Sequence, residues 1–283
     1  MKIIDAHLHF SDTLPLKNTA ENIAQVEYTA KGLRREFAEA GVIAGIVMTT
    51  GRRKPGQGIS QAIELTLEDG TLDCLLACVG INPFELKKNK NEIEKIEREL
   101  TKDWVTGIKI YPGYFPFYAY DSIYEPVYEL ARQHNIPVAI HCGSTQSPEG
   151  LLKYSHPLNI DELAVKHRDI NFVICHLGVP WVMDTAEIVA KNMNVYADLS
   201  GLCAGNKTKV KEIQQTEPYI NYLKQSLVYA HSYDKLLFGT DWPLVPIKPY
   251  VEFIKELIPD AYREDVFYNN ALRVFPKLRK MVG

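Results

Sequence analysis

The chain of 283 residues is long enough for one large α/β domain or two smaller ones. Its hydrophobic fraction of 46% and charged fraction of 24% are typical of a globular protein and exclude a disordered chain. The formal charge of -3 provides no basic surface for nucleic acid or an anionic membrane, so we expect neither partner. The first residues do not resemble a signal peptide and no apolar run is long enough to span a membrane, which predicts a cytoplasmic protein.

Eight short β-rich runs follow one another along the chain. They end near residues 8, 49, 80, 111, 142, 176, 199 and 239. Most are apolar nearly throughout and are bounded by Gly, Pro or Asn, as expected for parallel strands that are covered on both faces.

Amphipathic segments separate these strands. The pattern predicts helices at 20–40, 57–69, 89–101, 122–134, 159–167, 181–192, 209–230 and 248–258, and a last one at 260–273. Gly41 and Asn135 stand where a residue in the left-handed conformation would end a helix. Regular alternation of strands and helices predicts an α/β fold, a single-domain (β/α)8 TIM barrel over residues 1–283, rather than a doubly wound sheet.

Polar residues of the first strand alternate with apolar ones. Asp5, His7 and His9 occupy every second position, so we expect them on one face of the strand, with Ile4, Ala6 and Leu8 on the other. A lone His-x-His pair is more typical of hydrogen-bonded structural histidines than of metal ligands.

Other polar residues end further predicted strands, where the active sites of such barrels lie. They are Lys109 late in the fourth strand, His141 at the end of the fifth, His176 at the end of the sixth and Asp241 after the eighth. Each of these histidines alone is also typical of a structural residue. Four of the eight histidines and one aspartate at the same rim of the barrel indicate a joint site.

The side chains of His7, His9, His141 and Asp241 form a set of three imidazoles and one carboxylate. This set suits Zn²⁺, or a similar divalent ion such as Mn²⁺, with a water in the remaining position. A metal of this kind makes an activated water available near neutral pH, and Asp241 could orient that water or accept its proton. His176 is then free for general acid or base catalysis.

The segments DAHLHF, GIKIYP, VAIHCG, VICHLG, VYADLSG, LFGTDWP and NNALRVF occur in this order. Together they resemble the amidohydrolase superfamily, in particular the amidohydrolase-2 branch of aminocarboxymuconate semialdehyde decarboxylase and related TIM-barrel metal-dependent hydrolases. The resemblance runs from residue 2 to about 275 and implies the same four metal ligands. It also implies that His176 is the catalytic histidine that contacts the metal-bound water in mononuclear members. Asp198 and Ser200 match a frequent pattern of the seventh strand, to which the resemblance assigns no role.

Lys109 has more than one interpretation. In binuclear members of the wider superfamily a lysine of the fourth strand is carboxylated and bridges two metals, whereas in the branch resembled here it is usually unmodified. We therefore expect one Zn²⁺, and two metals if Lys109 is carboxylated. An ion pair of Lys109 with an acid such as Asp5 is the structural alternative.

Two loops bear on the substrate. Arg52 and Arg53 follow the second strand and, with Lys109 and the cationic metal centre, predict a small anionic substrate, since guanidinium groups bind carboxylates. A solvated basic loop is the alternative. The aromatic segment YPGYFPFYAY at 111–120 could form the wall of a pocket for a flat ligand, a cover over the barrel or a contact in a homo-oligomer.

The leading functional hypothesis is metal-dependent hydrolysis of an amide, ester or lactone. Non-oxidative decarboxylation or hydration of an unsaturated carboxylic acid on the same metal site is the alternative. A metal-independent lactonase and a barrel that only binds its ligand are further hypotheses, and the intact ligand set disfavours the second of them.

Overall fold

The computed structural model describes residues 1–10, 14–51 and 73–283 of the chain. The helix predicted at 57–69 and the side chains of Arg52 and Arg53 lie outside the described residues. Within them, no helix is both long and apolar enough to cross a membrane. All five cysteines are free thiols.

Eight strands form one sheet, and their spatial order is their order in the chain. They are β1 (Ile3–Leu8), β2 (Val42–Met48), β3 (Leu75–Gly80), β4 (Val105–Ile110), β5 (Val138–Ile140), β6 (Phe172–Ile174), β7 (Val195–Asp198) and β8 (Leu236–Leu237). Every neighbouring pair from β1 to β8 is parallel. Parallel strands need crossover connections, and helices provide these wherever the connection lies within the described residues.

The segment after β8 closes the sheet onto β1. The N–H of Ala6 donates to the carbonyl of Phe238 at 2.8 Å, and the N–H of Asp241 donates to the carbonyl of His7 at 2.8 Å. The predicted (β/α)8 TIM barrel is confirmed. Its closure brings the first strand, β1, next to the segment that follows the last strand, β8.

Helices surround the barrel. The α-helices are Leu14–Thr19, Ala30–Ala40, Pro83–Lys88, Glu92–Leu100, Glu125–Gln133, Leu152–Ser155, Asn159–Lys166, Val182–Lys191, Lys207–Gln214, Glu217–Ala230, Ile247–Leu257, Asn270–Val274 and Leu278–Val282. Ala20–Ala24 and Asp265–Asn269 are π-helical, and short 3₁₀ turns occupy Ser122–Tyr124, Cys175–Gly178, Tyr233–Lys235 and Asp260–Tyr262.

Two predicted long helices are interrupted. The helix predicted at 20–40 breaks where Gln25 takes a left-handed φ of 56°, and a new helix begins after Thr29, whose side chain accepts a hydrogen bond from the Gly32 N–H. The helix predicted at 209–230 breaks before Glu217, since the proline that follows lacks an N–H and favours a first helical turn. The predicted helix ends at Gly41 and Asn135 are confirmed, with φ values of 76° and 49°.

The regular alternation predicted for β1 is interrupted. Ile4 and Ala6 pack in the inner apolar cluster of the barrel, whereas Leu8 packs in the outer cluster between strands and helices. The pairing with β2 shifts register between Asp5 and Leu8. The Asp5 carboxylate accepts the His7 N–H at 3.2 Å, a local bond that competes with the strand ladder. The prediction of one uniform face for the acid and both histidines was therefore wrong.

Candidate active site

The two histidines of β1 are oriented by acceptors behind them. His7 Nδ1 lies 2.8 Å from Oδ2 of Asp198, and His9 Nδ1 lies 2.8 Å from the carbonyl oxygen of Met48. Carboxylate and carbonyl oxygens only accept, so both Nδ1 atoms carry the proton. Each neutral ring then presents a free lone pair on Nε2, the arrangement found in histidine ligands of metals.

Asp241 faces these two nitrogens. Its Oδ1 lies 3.1 Å from His9 Nε2 and 3.5 Å from His7 Nε2. One ligand atom from each of the three residues lies within 4.8 Å of the others. With the protons of both rings on Nδ1, all three facing atoms are acceptors, and acceptors brought together in this way need a cation between them.

His141 is the residue directly after β5, which ends at Ile140 and not near residue 142 as predicted. It is 4% exposed, and its Nε2 is buried without a hydrogen-bond partner among the described residues. His7 Nε2 and Asp241 Oδ1 share that property. Buried polar atoms are normally paired, so three such atoms in one site indicate a missing common partner. The residues present therefore fit a divalent metal ion.

Burial favours the neutral form of His7, His141 and His176. It lowers the pKa of His7 to about 4 and holds the pKa of His141 well below its usual value, with the neighbouring His176 as the second cause for His141. Burial also lowers the pKa of His176. Neutral imidazoles are the form that binds metals and accepts protons, so these side chains need no deprotonation at pH 7.

His176 lies beyond the end of β6, in the 3₁₀ turn Cys175–Gly178, with a left-handed φ of 62°. Its Nδ1 is 2.9 Å from Ser200 Oγ and 3.8 Å from Asp241 Oδ2. Its ring centroid is 4.7 Å from that of His7 and 5.1 Å from that of His141. The structure therefore brings His176 into the same cluster as the four predicted ligands.

Asp198 connects the two groups of histidines. Oδ1 accepts the N–H of His176 at 2.9 Å and the N–H of Ser200 at 3.1 Å, while Oδ2 accepts from His7. Burial acts to raise the pKa of Asp198, but its interaction with His7 more than offsets this and the pKa lies below its usual value. The residue is therefore an ionised anchor behind the site. Its role was not predictable from the DLSG segment without the contacts.

Lys109 is fully buried, and its Nζ lies 2.6 Å from Cys175 Sγ and 5.2 Å from the centroid of the Tyr111 ring. Burial acts to lower the pKa of Lys109, but Cys175 and Asp198 more than offset it, so the pKa is raised. The carboxyl of Asp5 instead binds Thr240, with 2.6 Å between Oδ2 and Oγ. The predicted alternative, an ion pair of Lys109 with Asp5, was wrong. Contact of Lys109 with a substrate stays a prediction, as does that of Arg52 and Arg53, which lie outside the described residues.

The aromatic segment after β4 lies partly beside the site and partly against a neighbouring helix. Tyr114 lies beside the site, with its ring centroid 4.8 Å from that of His141, and the Tyr111 hydroxyl donates to the Thr49 carbonyl at 2.9 Å. Phe115 instead packs against Phe84 at 5.9 Å between centroids. Part of the segment thus walls the site, and part packs against the helix that follows β3.

Solved structures share the fold over nearly the whole chain. The TIM-barrel protein Bb4693 from Bordetella bronchiseptica matches with a TM-score of 0.68 and 20% identity, covering 98% of this chain and 99% of that one. An amidohydrolase from Burkholderia multivorans with bound zinc gives 0.66 and 15%, with coverage of 98% and 99%. A dihydroxybenzoic acid decarboxylase from Polaromonas sp. JS666, with bound manganese and the inhibitor 2-nitroresorcinol, gives 0.64 and 13%, with 99% of each chain covered.

Sequence comparison shows the family. No curated protein matches the chain. The sequence model of the amidohydrolase family, however, matches residues 78–277, which is more than half of the chain. The matched region contains His141, His176 and Asp241, and β1 with its two histidines precedes it. The chain therefore belongs to the amidohydrolase family of enzymes.

Proposed function

We propose that the chain is a metal-dependent hydrolase of an amide, ester or lactone in a small substrate that bears a carboxylate. The observation that carries this proposal is the convergence of ligand atoms of His7, His9 and Asp241 within 4.8 Å, beside buried side-chain atoms of His7, Asp241 and His141 that lack partners among the described residues. Zn²⁺ fits this mixture of imidazole and carboxylate ligands, and Mn²⁺ is the alternative. Neighbours of the same fold hold zinc and manganese, which supports a divalent ion.

A single ion agrees with the surroundings of Lys109. The Lys109 side chain is fully buried and its Nζ lies 2.6 Å from Cys175 Sγ, a contact that a carboxylate group added to this nitrogen would displace. An unmodified Lys109 provides no bridging ligand for a second metal, and its charge contributes to a cationic site that attracts a carboxylate.

The metal ion and the surrounding side chains have different roles in the proposed hydrolysis. A bound divalent ion would polarise the substrate carbonyl and make water acidic enough to react near pH 7. His176, neutral through burial, accepts a proton from the attacking water and returns it to the leaving group. Asp198 holds the His7 ring and the His176 backbone in place. Tyr114 and Tyr111 limit the space beside His141 and favour a flat substrate.

Decarboxylation of an aromatic or unsaturated carboxylic acid is the second candidate. Two features favour it: aromatic rings border His141, and the Polaromonas neighbour is a decarboxylase of a dihydroxybenzoic acid. The same histidines and Asp241 would serve this reaction. The two reactions differ in whether a carbon atom leaves as carbon dioxide.

Product analysis separates these candidates. Protein loaded with Zn²⁺ or Mn²⁺ is incubated with two sets of compounds: carboxylate-bearing amides, esters and lactones, and dihydroxybenzoic and unsaturated carboxylic acids. NMR spectra identify products, and a carbon dioxide assay detects decarboxylation. We expect hydrolysis products that retain every carbon, and a loss of rate of about 10² to 10⁴ with His176→Asn but not with His156→Asn, a histidine away from the site. Carbon dioxide release would select the second candidate, and no turnover in either set would contradict both.

A further inference from the structure

The hydrogen bonds of Asp198 and Ser200 determine which ring nitrogen of His176 carries the proton. We propose that Ser200 is a positioning residue that holds the proton of neutral His176 on Nδ1, so that Nε2 is its basic nitrogen. The role of that nitrogen as the base in catalysis rests on the proposed function. The position of the proton does not, because it follows from the hydrogen bonds of the protein alone.

The hydroxyl group of Ser200 donates its proton to Asp198. Its Oγ lies 2.5 Å from Asp198 Oδ1, and the same Oδ1 accepts the backbone N–H of Ser200 and of His176. An ionised carboxylate only accepts hydrogen bonds, so the serine hydroxyl must be the donor to it. A hydroxyl has one proton, and Ser200 has therefore none left to donate elsewhere.

The imidazole of His176 donates a hydrogen bond to Ser200 through Nδ1. His176 Nδ1 lies 2.9 Å from Ser200 Oγ, and both atoms are buried. Because Ser200 has already donated its proton to Asp198, its oxygen can only accept from the ring. Nδ1 must then be protonated. Asp241 Oδ2 is 3.8 Å from Nδ1, beyond hydrogen-bond distance, so Ser200 is the direct partner of this nitrogen.

The other ring nitrogen of His176, Nε2, carries the lone pair. His176 Nε2 has no hydrogen-bond partner among the described residues, and in a neutral ring with the proton on Nδ1 it carries the lone pair. The opposite tautomer would present an N–H at that position and could not accept a proton from water. Ser200 thus decides whether His176 begins the reaction as a base or as a donor.

The arrangement also couples the base to the candidate metal ligand. Oδ2 of Asp198 holds the proton of His7 on Nδ1, and Oδ1, through Ser200, holds the proton of His176 on Nδ1. One buried carboxylate therefore sets the tautomers of both rings. This gives the DLSG segment of the seventh strand a chemical role.

Nitrogen NMR of the histidine rings tests the tautomer directly. Protein labelled with ¹⁵N in histidine is measured at about pH 8.5, where unperturbed histidines are neutral, both without added metal and after reconstitution with Zn²⁺. His176→Asn identifies the His176 signals by their loss. We expect a protonated Nδ1 and an unprotonated Nε2 in the wild type, a shift toward the Nε2-protonated tautomer in Ser200→Ala, and the wild-type pattern in Ser200→Thr, which keeps a hydroxyl.

The wild-type spectrum alone tests the tautomer of His176, without any Ser200 variant. An Nε2-protonated His176 would overturn the proposal. A Ser200→Ala spectrum identical to that of the wild type would overturn it as well. With a substrate identified, Ser200→Ala should lower kcat by about 10-fold or more while KM changes little, since only proton transfer is affected. The spectrum taken without metal keeps this result separate from the proposed function: the tautomer can be right even if no metal binds.

Discussion

Asp5 is a fully buried carboxyl group beneath the candidate metal site. Its Oδ1 accepts the N–H of Thr240 at 3.0 Å, and burial raises its pKa from 3.8 to about 7. Because the pKa in the folded protein lies above that in the unfolded chain, the stability contributed by Asp5 is complete below about pH 4. It is lost as the pH rises through 7, when a buried charge forms.

Asp5→Asn should therefore gain stability relative to the wild type as the pH rises. The asparagine resembles the protonated acid, so the difference in free energy of unfolding should grow in favour of the variant between pH 4 and 7, by up to about 4 kcal/mol, and then level off. Urea unfolding of protein freed of metal by a chelator measures it. Asp73→Asn, at an exposed position, is the control. A difference independent of pH would contradict the burial argument.

Gly201 lies beside the candidate base His176. It has a φ of +61°, and a Cβ there would lie 2.8 Å from His176 Nδ1 and 3.0 Å from Asp241 Oδ2. Gly41 has a similar φ of +76°, but its Cβ would meet nothing nearer than 3.6 Å. The two glycines thus share the backbone constraint and differ in their contact with the site.

Gly201→Ala should consequently impair the site as well as the backbone. We expect Gly41→Ala to cost about 1 kcal/mol of stability and leave activity unchanged, because only the left-handed conformation is penalised. Gly201→Ala should carry that cost and also reduce turnover by about 10²-fold or more, because the His176 ring and the Asp241 carboxylate must move. Thermal unfolding and steady-state rates measure the two effects. Equal activity of both variants would show that the ring tolerates the added methyl group.

At the scale of elements, β8 depends on the helix Asn270–Val274. Asn270 is fully buried, and its Nδ2 donates to the carbonyls of Tyr233 at 2.8 Å and Leu236 at 2.7 Å. These bonds hold the two-residue strand at its start. Asn269, the preceding residue, is partly buried, and within the described part of the chain its side chain bonds the side chain of Asp265 alone.

Asn270→Ala should destabilise the protein by about 2 to 3 kcal/mol, because two buried carbonyls lose their donors. Asn269→Ala, the matched neighbour, should cost less than about 1 kcal/mol. Chemical unfolding of both variants gives the comparison. If the two substitutions cost the same, the amide of Asn270 does not anchor β8.

The sequence predicted the order of strands and the residues at their ends, but not where each ladder stops. The runs that end near residues 142, 176 and 239 contain only three, three and two residues of strand in β5, β6 and β8. Beyond them the backbone turns, and His176 and Asp241 have left-handed φ values of 62° and 61°. Such values are uncommon outside glycine and are imposed by tertiary hydrogen bonds, which a sequence pattern does not contain.

At the scale of the whole molecule, barrel closure creates the site. His7 and Asp241 are separated by most of the chain, and they meet because the segment after β8 pairs with β1. The meeting of His7, His9 and Asp241 was predictable, since the rim of a barrel collects strand ends, and their role as metal ligands together with His141 stays a prediction. The bond of Lys109 to Cys175 and the anchoring by Asp198 were not predictable, because they depend on which inward side chains meet inside the barrel.

The count of bound metal decides whether His7, His9, His141 and Asp241 form a metal centre. Protein purified without chelator and then incubated with Zn²⁺ or Mn²⁺ is analysed by inductively coupled plasma mass spectrometry, for the wild type, His141→Ala and the control His156→Ala. We expect one divalent ion per chain in the wild type and in the control, and its loss in His141→Ala, whose buried Nε2 would no longer be present. No ion in the wild type, or the same content in His141→Ala, would contradict the ligand assignment, and two ions per chain would contradict the single-metal centre.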